Sequence, residues 1–159
     1  MANETNDLDG PVFVRRLLVE LLAVRGFNLI PGAEIDDRLK AQGFTDGGQL
    51  KAATPQKIGE WVGADALFYG TLEEFNYINV GYYAQRTVKI GASLVDARTG
   101  EKLWETEQGY STRQVAVNKK QAEREFAVQL AAKALEKMTH TPLQFESRQA
   151  VRRLLNTLP

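Results

Sequence analysis

The segment from residue 86 to residue 104 restricts the fold most, because it predicts a β-hairpin. Val88, Ile90, Ala92 and Leu94 alternate with polar residues, a pattern typical of a strand with one buried and one partly solvated face. The segment 96–100 then supplies a turn, since Asp96 can bond nearby amides and Gly100 suits a positive φ angle. Leu103-Trp104 begins the return strand, so the chain contains antiparallel sheet.

Three further segments predict strands. Residues 64–72 are apolar on both alternating faces, which indicates a central strand that is covered on each side. A second strand is expected from about Phe75 to Tyr83. Phe27–Ile30 is short and apolar and stands before Pro31-Gly32, so a strand is expected there too. Because helices connect Phe27–Ile30 to the central strand, the two strands can lie parallel.

Helical spacing of apolar residues appears in five places. The first helix is expected after Pro11, with Asp9 as its cap and Gly26 as its end. Two short helices follow, one at 33–42 and one from Thr54, which starts it, to Trp61, with Gly63 as its end. Asn118 is a good cap for a long fourth helix, and an amphipathic fifth piece follows Pro142. The long helix has one apolar stripe with a residue at every fourth position: Ala122, Phe126, Leu130, Ala134 and Met138.

The order of these elements predicts an α/β fold, with a mixed sheet of about four to five strands and helices packed on both faces. The chain has 159 residues, of which 43% are hydrophobic, and is therefore long enough to bury one core. We expect a single domain over 1–159, in which 141–159 is a C-terminal amphipathic helical extension.

Charge favours no nucleic-acid partner. Residues 1–80 hold 7 basic and 12 acidic side chains, and residues 81–159 hold 13 and 8, so the halves differ in sign while the total is zero. No block of like charge and no basic motif interleaved with aromatic residues accompanies this difference.

The start of the chain lacks the pattern of a signal peptide, so either the protein is cytosolic or a leader has been removed.

The residues with reactive side chains do not form a catalytic set. His140 is the one histidine and there is no cysteine, so two-histidine metal sites and Ser-His-Asp or Cys-His arrangements cannot form within one chain. Adjacent acids such as Asp36-Asp37 and Glu73-Glu74 point in different directions. The glycines lack the spacing of a phosphate-binding loop. We therefore expect no enzyme activity, no cofactor and no metal.

Tyrosines provide the candidate binding surface. Tyr77, Tyr82 and Tyr83 are clustered in one strand region, and tyrosine at a strand edge or in a loop is common in protein contact surfaces. The alternative is that these side chains simply fill the strands.

Two motifs resemble a family of bacterial lipoproteins of unassigned function. They are Gly63-Ala64-Asp65 with the apolar strand that follows, and the hairpin from Leu94 to Trp104. The segments 3–9, 25–31 and 42–45 also match, so the resemblance covers most of residues 3–115. The same order of motifs is seen in the curli secretion-channel lipoprotein and in lipoprotein activators of peptidoglycan synthases.

The resemblance implies a fold like the amino-terminal domain of TolB, on a periplasmic protein that is lipid-anchored to the outer membrane. Membrane contact would then be only through an anchor upstream of this chain. The family has no assigned catalytic residues. The family's first strand and its anchor cysteine are missing before Asn3, which a removed leader explains, and an unpaired sheet edge is expected as a result.

Four functions follow as hypotheses. The first is a non-enzymatic envelope domain that binds envelope proteins or itself, with a dimer favoured and a transport or assembly complex as its setting. The second is a docking regulator of a cell-wall synthase, which is an analogy of fold alone. A pore-forming lipoprotein is disfavoured because residues 71–86 are too short for channel hairpins. A cryptic enzyme requires Asp36, Asp65, Glu73 and Asp96 to converge.

Overall fold

The computed structural model describes residues 1–80, 82–116, 119–139 and 143–159. The helices follow the predicted order, with a 3-10 helix at Gly47–Ala52 between the second and third helices, while the strands differ from the prediction in number and bounds. The elements are β1 (Ala2–Asn3), α1 (Asp9–Val24), α2 (Gly32–Ala41), α3 (Pro55–Val62), β2 (Ala66–Val80), β3 (Tyr83–Asp96), β4 (Lys102–Val115), α4 (Lys119–Thr139) and α5 (Gln144–Leu155).

The four strands form one mixed sheet in the order β1-β2-β3-β4. β2, β3 and β4 are an antiparallel meander, and β1 lies parallel to β2 with Ala2 opposite Thr71 and Asn3 opposite Leu72. The predicted α/β class and the mixed sheet are confirmed. Hairpin geometry at β3 and β4 also agrees with prediction: the Asp96 carboxylate accepts the N–H groups of Arg98 and Thr99, and Gly100 has a φ of 77°.

The two strands expected at 64–72 and about 75–83 are one continuous strand, β2. Its register with β3 shifts between Leu72 and Glu74, where the chain has a β-bulge. A β-bulge accommodates one extra residue by a local kink. The strand therefore continues past the adjacent acidic residues Glu73 and Glu74. The separation into two strands was therefore wrong.

The strand expected at Phe27–Ile30 is absent, and that prediction was wrong. Gly26, with a φ of 85°, ends α1, and the N–H of Phe27 donates to the carbonyl of Leu22. This pattern is a helix C-cap in which the residue after the glycine closes the last turn. The parallel neighbour of β2 is instead the N-terminal segment Ala2–Asn3.

The main core lies between the sheet and the pair α1 and α5. Leu17 of α1 is 1% exposed, and Val151 and Leu154 of α5 are fully buried. They pack on Leu72 and Ile90 of the sheet. The C-terminal segment that was expected as an extension thus contributes α5 to the centre of the fold. We call this face of the sheet the inner face.

A smaller core covers one end of the opposite, outer face. Ile58 and Val62 of α3 pack against Leu67 and Ala97, so helices lie on both faces as predicted. The Thr54 hydroxyl accepts the N–H of Lys57 at the start of α3, also as expected. The cap of α1 differs from prediction: the helix begins at Asp9, and the Asp7 carboxylate accepts the Gly10 N–H at 2.6 Å.

Candidate interaction surface

The long helix α4 is held against the sheet by polar side chains. Gln129 is central, because its Oε1 accepts the hydroxyl of Tyr77 at 2.6 Å and the Nδ2 amide of Asn79 at 3.0 Å. Its Nε2 donates to Gln114 of β4 at 2.6 Å. The ammonium of Lys133 lies 5.3 Å from the centre of the Tyr77 ring, a cation–π contact. Helix α4 therefore crosses the end of the inner face that is nearest the β2–β3 turn.

A buried charge cluster lies beneath α4 and links it to α5. Arg86 of β3 forms ion pairs with Glu136 of α4 and Glu146 of α5, the latter with Nε and Oε2 3.3 Å apart. The Glu146 side chain is only 4% exposed, and its Oε1 accepts the Thr112 hydroxyl at 2.6 Å. The Arg86 Nε and Glu146 Oε2 atoms attract by charge without a well-aligned hydrogen bond. The Arg86–Glu146 ion pair is therefore held by the attraction between two close, buried charges.

The apolar stripe of α4 faces away from the sheet. Residues 129, 132 and 136, which are spaced three and four apart, are the half-buried positions that face the sheet. Large apolar side chains on the rest of the helix are exposed by half or more: Phe126 51%, Val128 69%, Leu130 53%, Leu135 62% and Met138 81%. Ala134 of the predicted stripe is exposed too, while the side chain of Ala122 and the cap Asn118 lie outside the described structure.

This arrangement is the reverse of an ordinary surface helix, which turns its apolar side to the core. Sequence periodicity identified the stripe but could not show which way it faces.

Arg86 did leave a signal in the sequence, and that signal was missed. It is in phase with Val88 and Ile90, on the buried side of an alternating strand, where a charge requires a partner.

The three predicted tyrosines do not form one surface. Tyr77 lies on the inner face under α4, while Tyr83 lies on the outer face, where its hydroxyl donates to Gln85. Tyr82 stands in the turn between β2 and β3 and is 53% exposed. All three lie at the same end of the sheet, but only Tyr82 is largely available to a partner.

The rest of the outer face is polar and open to solvent. Lys89 pairs with Glu73 and Glu107, and the Thr87 and Ser111 hydroxyls lie 3.0 Å apart. At the covered end of this face, burial raises the pKa of Tyr69. The charged and hydroxyl side chains on the open part of this face thus pair with one another across the strands, as is usual for a solvated sheet face.

Acidic residues are dispersed among separate structural roles. Asp36 pairs with Arg15 at 2.7 Å, Glu73 pairs with Lys89, and Asp96 belongs to the hairpin turn. Backbone N–H groups of Thr99 and Arg98 lower the pKa of Asp96. Within the ranges described above, no group of three or more histidine or acidic residues could hold a metal ion. His140 lies outside them.

The fold is an α/β domain with a four-stranded mixed sheet, and comparison with known proteins identifies its family. Residues 1–156 match the family described as "Putative lipoprotein GNA1162-like", so the chain belongs to that family. The expected resemblance to lipoproteins of unassigned function is confirmed. Across the described part of the chain, no helix has the length and apolar content needed to cross a membrane.

Two relatives from Neisseria meningitidis illustrate the match. The lipoprotein NMB1124/NMB1162 of serogroup B is 30% identical over 102 residues, which cover 64% of this chain and 47% of that protein. The chain thus spans about half the length of this relative. The crystal structure of lipoprotein GNA1162 shares the fold with a TM-score of 0.66 at 24% identity, over 84% of this chain and 92% of that one. Neither relative's name indicates a catalytic activity.

Proposed function

We propose that this domain is a non-enzymatic component of the bacterial cell envelope that acts by binding proteins, with the exposed side of α4 as its main contact surface. The full-length protein is lipid-anchored to the outer membrane and faces the periplasm, where it belongs to a transport or assembly complex. Membership of a lipoprotein family supports the anchor and the envelope location.

The outward apolar side of α4 is the observation that carries this proposal. Three large side chains of the stripe, Phe126, Leu130 and Met138, are each at least half exposed, and at roughly 150–200 Å² per side chain they present on the order of 300 Å² of apolar surface. The largest apolar patch on a typical monomer is about 300–600 Å² and is often functional. At about 25 cal/mol per Å², covering this patch would contribute roughly 7–8 kcal/mol before the costs of association.

The polar contacts on the side of α4 that faces the sheet hold the helix in one orientation. Gln129 and Glu136 bond groups on β2, β3 and β4, so the helix cannot roll its apolar side onto the sheet without losing several hydrogen bonds and an ion pair. The helix is thereby presented with its apolar side outward. Tyr82, in the neighbouring turn, is proposed as a secondary contact.

Capture from native membranes tests the proposal. Tagged full-length protein would be solubilised from the cell envelope, and its bound proteins would be identified by mass spectrometry for wild type, Leu130→Lys and a control, Val24→Lys. Val24 is 84% exposed at the end of α1, next to Arg25, which contacts α5 rather than α4.

We expect Leu130→Lys to lose the bound envelope proteins and Val24→Lys to retain them. Circular dichroism should show that both variants are folded. Equal capture by all three proteins would show that α4 is not the contact surface. Recovery of the native protein only in the soluble cytosolic fraction would overturn the envelope location.

A further inference from the structure

We infer that the outward side of α1 and α5 is a membrane-contact surface that lies on the head groups of an anionic phospholipid bilayer. This inference goes beyond the proposed function, because the surface is separate from the exposed side of α4 and its partner is lipid. We call it the basic layer, after the five arginines that it carries on or next to the two helices: Arg16, Arg25, Arg148, Arg152 and Arg153.

The basic layer is continuous across the two helices. Leu17 of α1 and Leu154 of α5 both pack on the inner face of the sheet, so the opposite sides of both helices point away from it. Arg25 joins the ends of the helices, because its guanidinium donates to the Leu155 carbonyl and, at 2.8 Å, to the Oδ1 atom of Asn156. The exposed surfaces of the two helices therefore face the same side of the domain.

Positive charge on the basic layer is left without internal partners. Within the described part of the chain, none of its five arginines forms an ion pair with an acidic side chain, whereas Arg15 and Arg86 are paired. Asp9 and Glu20 are the exposed acidic residues of α1, and the acidic residue of α5, Glu146, is buried beside Arg86. Five positive charges thus stand against two negative ones, so the layer attracts an anionic partner.

Exposed apolar side chains stand between the arginines. Val12 and Val19, which are 71% and 44% exposed, lie four residues before and three residues after Arg16, on the same ridge of α1. Phe145, which is 54% exposed, stands three residues before Arg148 on α5. A bilayer interface suits both kinds of side chain, because guanidinium groups bind phosphate and apolar groups enter the head-group region. A wholly polar polyanion offers the apolar side chains no partner, so lipid is the occupant that fits the layer.

The lipid anchor of the full-length protein proposed above would approach the basic layer from the same side, and this step alone rests on the proposed function. β1 lies parallel to β2, so the chain upstream of Met1 leads toward the Ala66 end of the sheet. Met1 packs on the inner core beside α1. The chain after α5 lies near that end as well, where the Trp104 indole donates to the Thr157 carbonyl at 2.8 Å. An anchor and a basic surface commonly act together in holding a protein on a membrane.

Vesicle co-sedimentation tests the inference on the whole chain without an anchor. Wild type is expected to bind vesicles that contain about 30% phosphatidylglycerol in phosphatidylcholine, and to dissociate as salt is raised from about 0.05 M to about 0.5 M. Each basic residue near an anionic surface strengthens binding about fivefold, so Arg16→Gln combined with Arg152→Gln should weaken it about 25-fold. The matched control, Lys57→Gln with Arg113→Gln, removes two exposed charges on the other side of the sheet and should stay within about twofold of wild type.

An environment-sensitive dye locates the contact. The chain has no cysteine, so a bimane dye attached to Val12→Cys reports the basic layer, and one attached to Ser111→Cys reports the open outer face. We expect the dye at position 12 to shift its emission to shorter wavelength with anionic vesicles, and the dye at position 111 to remain unchanged. A shift at position 111 without one at position 12 would overturn the inference. Circular dichroism should show that all variants are folded.

Absence of binding to anionic vesicles at low salt would overturn the inference, as would equal weakening by the control pair. Loss of vesicle binding in Leu130→Lys, with no loss in the arginine pair, would place the membrane contact on α4 and overturn it too. Binding of a polyglutamate peptide without binding of vesicles would identify an acidic protein as the occupant and exclude lipid. The proposed function is tested separately: if vesicle binding fails while capture of envelope proteins still depends on Leu130, the proposed function stands and this inference falls.

Discussion

Replacing Arg86 by methionine should destabilise the fold strongly, because it leaves a buried carboxylate without its counter-charge. Arg86 is 20% exposed and lies between Glu136 and Glu146, and the Glu146 side chain is 4% exposed. Removing one partner of a buried ion pair costs about 3–5 kcal/mol. Arg86 keeps some solvent contact, so the lower end, about 3 kcal/mol, is expected for Arg86→Met.

Two further variants separate the contributions within this cluster. Glu136→Gln removes the charge contributed by α4 but leaves Arg86 beside Glu146, so the expected loss is about 1 kcal/mol. The double variant Arg86→Met with Glu146→Gln removes both members of the α5 pair. It should recover at least about 2 kcal/mol of the loss, because a neutral amide is far cheaper to bury than a lone carboxylate.

Urea denaturation followed by circular dichroism measures these free energies directly. For a chain of this length a loss of about 3 kcal/mol lowers Tm by roughly 6–12 °C. The reasoning would be refuted if Arg86→Met cost less than about 1 kcal/mol. The reasoning would also be refuted if the free-energy loss of the double variant equalled the sum of the losses of Arg86→Met and Glu146→Gln, because substitutions of residues in contact have non-additive effects.

Three other substitutions test the fold. Leu154→Ala should cost about 3 kcal/mol in urea denaturation, since Leu154 of α5 is fully buried; a loss below 1 kcal/mol would mean that α5 is peripheral. Gly59→Ala should lower stability by about 1–3 kcal/mol, because its Cβ would lie 2.5 Å from that of Ala97, and unchanged Tm would contradict this contact. Asp96→Asn should be less stable than wild type at neutral pH. Backbone hydrogen bonds lower the Asp96 pKa, so its stabilisation is present above about pH 4 and is lost as the pH falls through the lowered pKa; a difference from wild type that does not shrink as the pH is lowered below about 4 would exclude this cause.

Local chemistry made the hairpin and the helix ends predictable. The Asp96 carboxylate and Gly100 act within five residues, and the Thr54 cap and Gly63, with a φ of 68°, act within one turn. Such features require no knowledge of the rest of the chain. Phe27–Ile30 shows the limit of local patterns, because a short apolar run can be a strand or the cap of the preceding helix.

Long-range features were not accessible from pattern alone. Glu73 and Glu74 lie between the two strands that were expected at 64–72 and about 75–83, and only the pairing with β3 shows that the chain bulges there. The stripe of α4 was read correctly as apolar, but its direction depends on Gln129 and Glu136 meeting residues 50 or so positions earlier. The charge of Arg86 on an apolar strand face was the available clue to this polar contact.

Site-specific photo-cross-linking in living cells tests most directly whether the exposed side of α4 is the contact surface. A photoreactive residue would be placed at Leu130 on α4 and, as a matched control, at Ser111 on the open outer face of the full-length protein. The account predicts adducts of higher mass from position 130 and none from position 111. Adducts from position 111 with none from position 130 would contradict it.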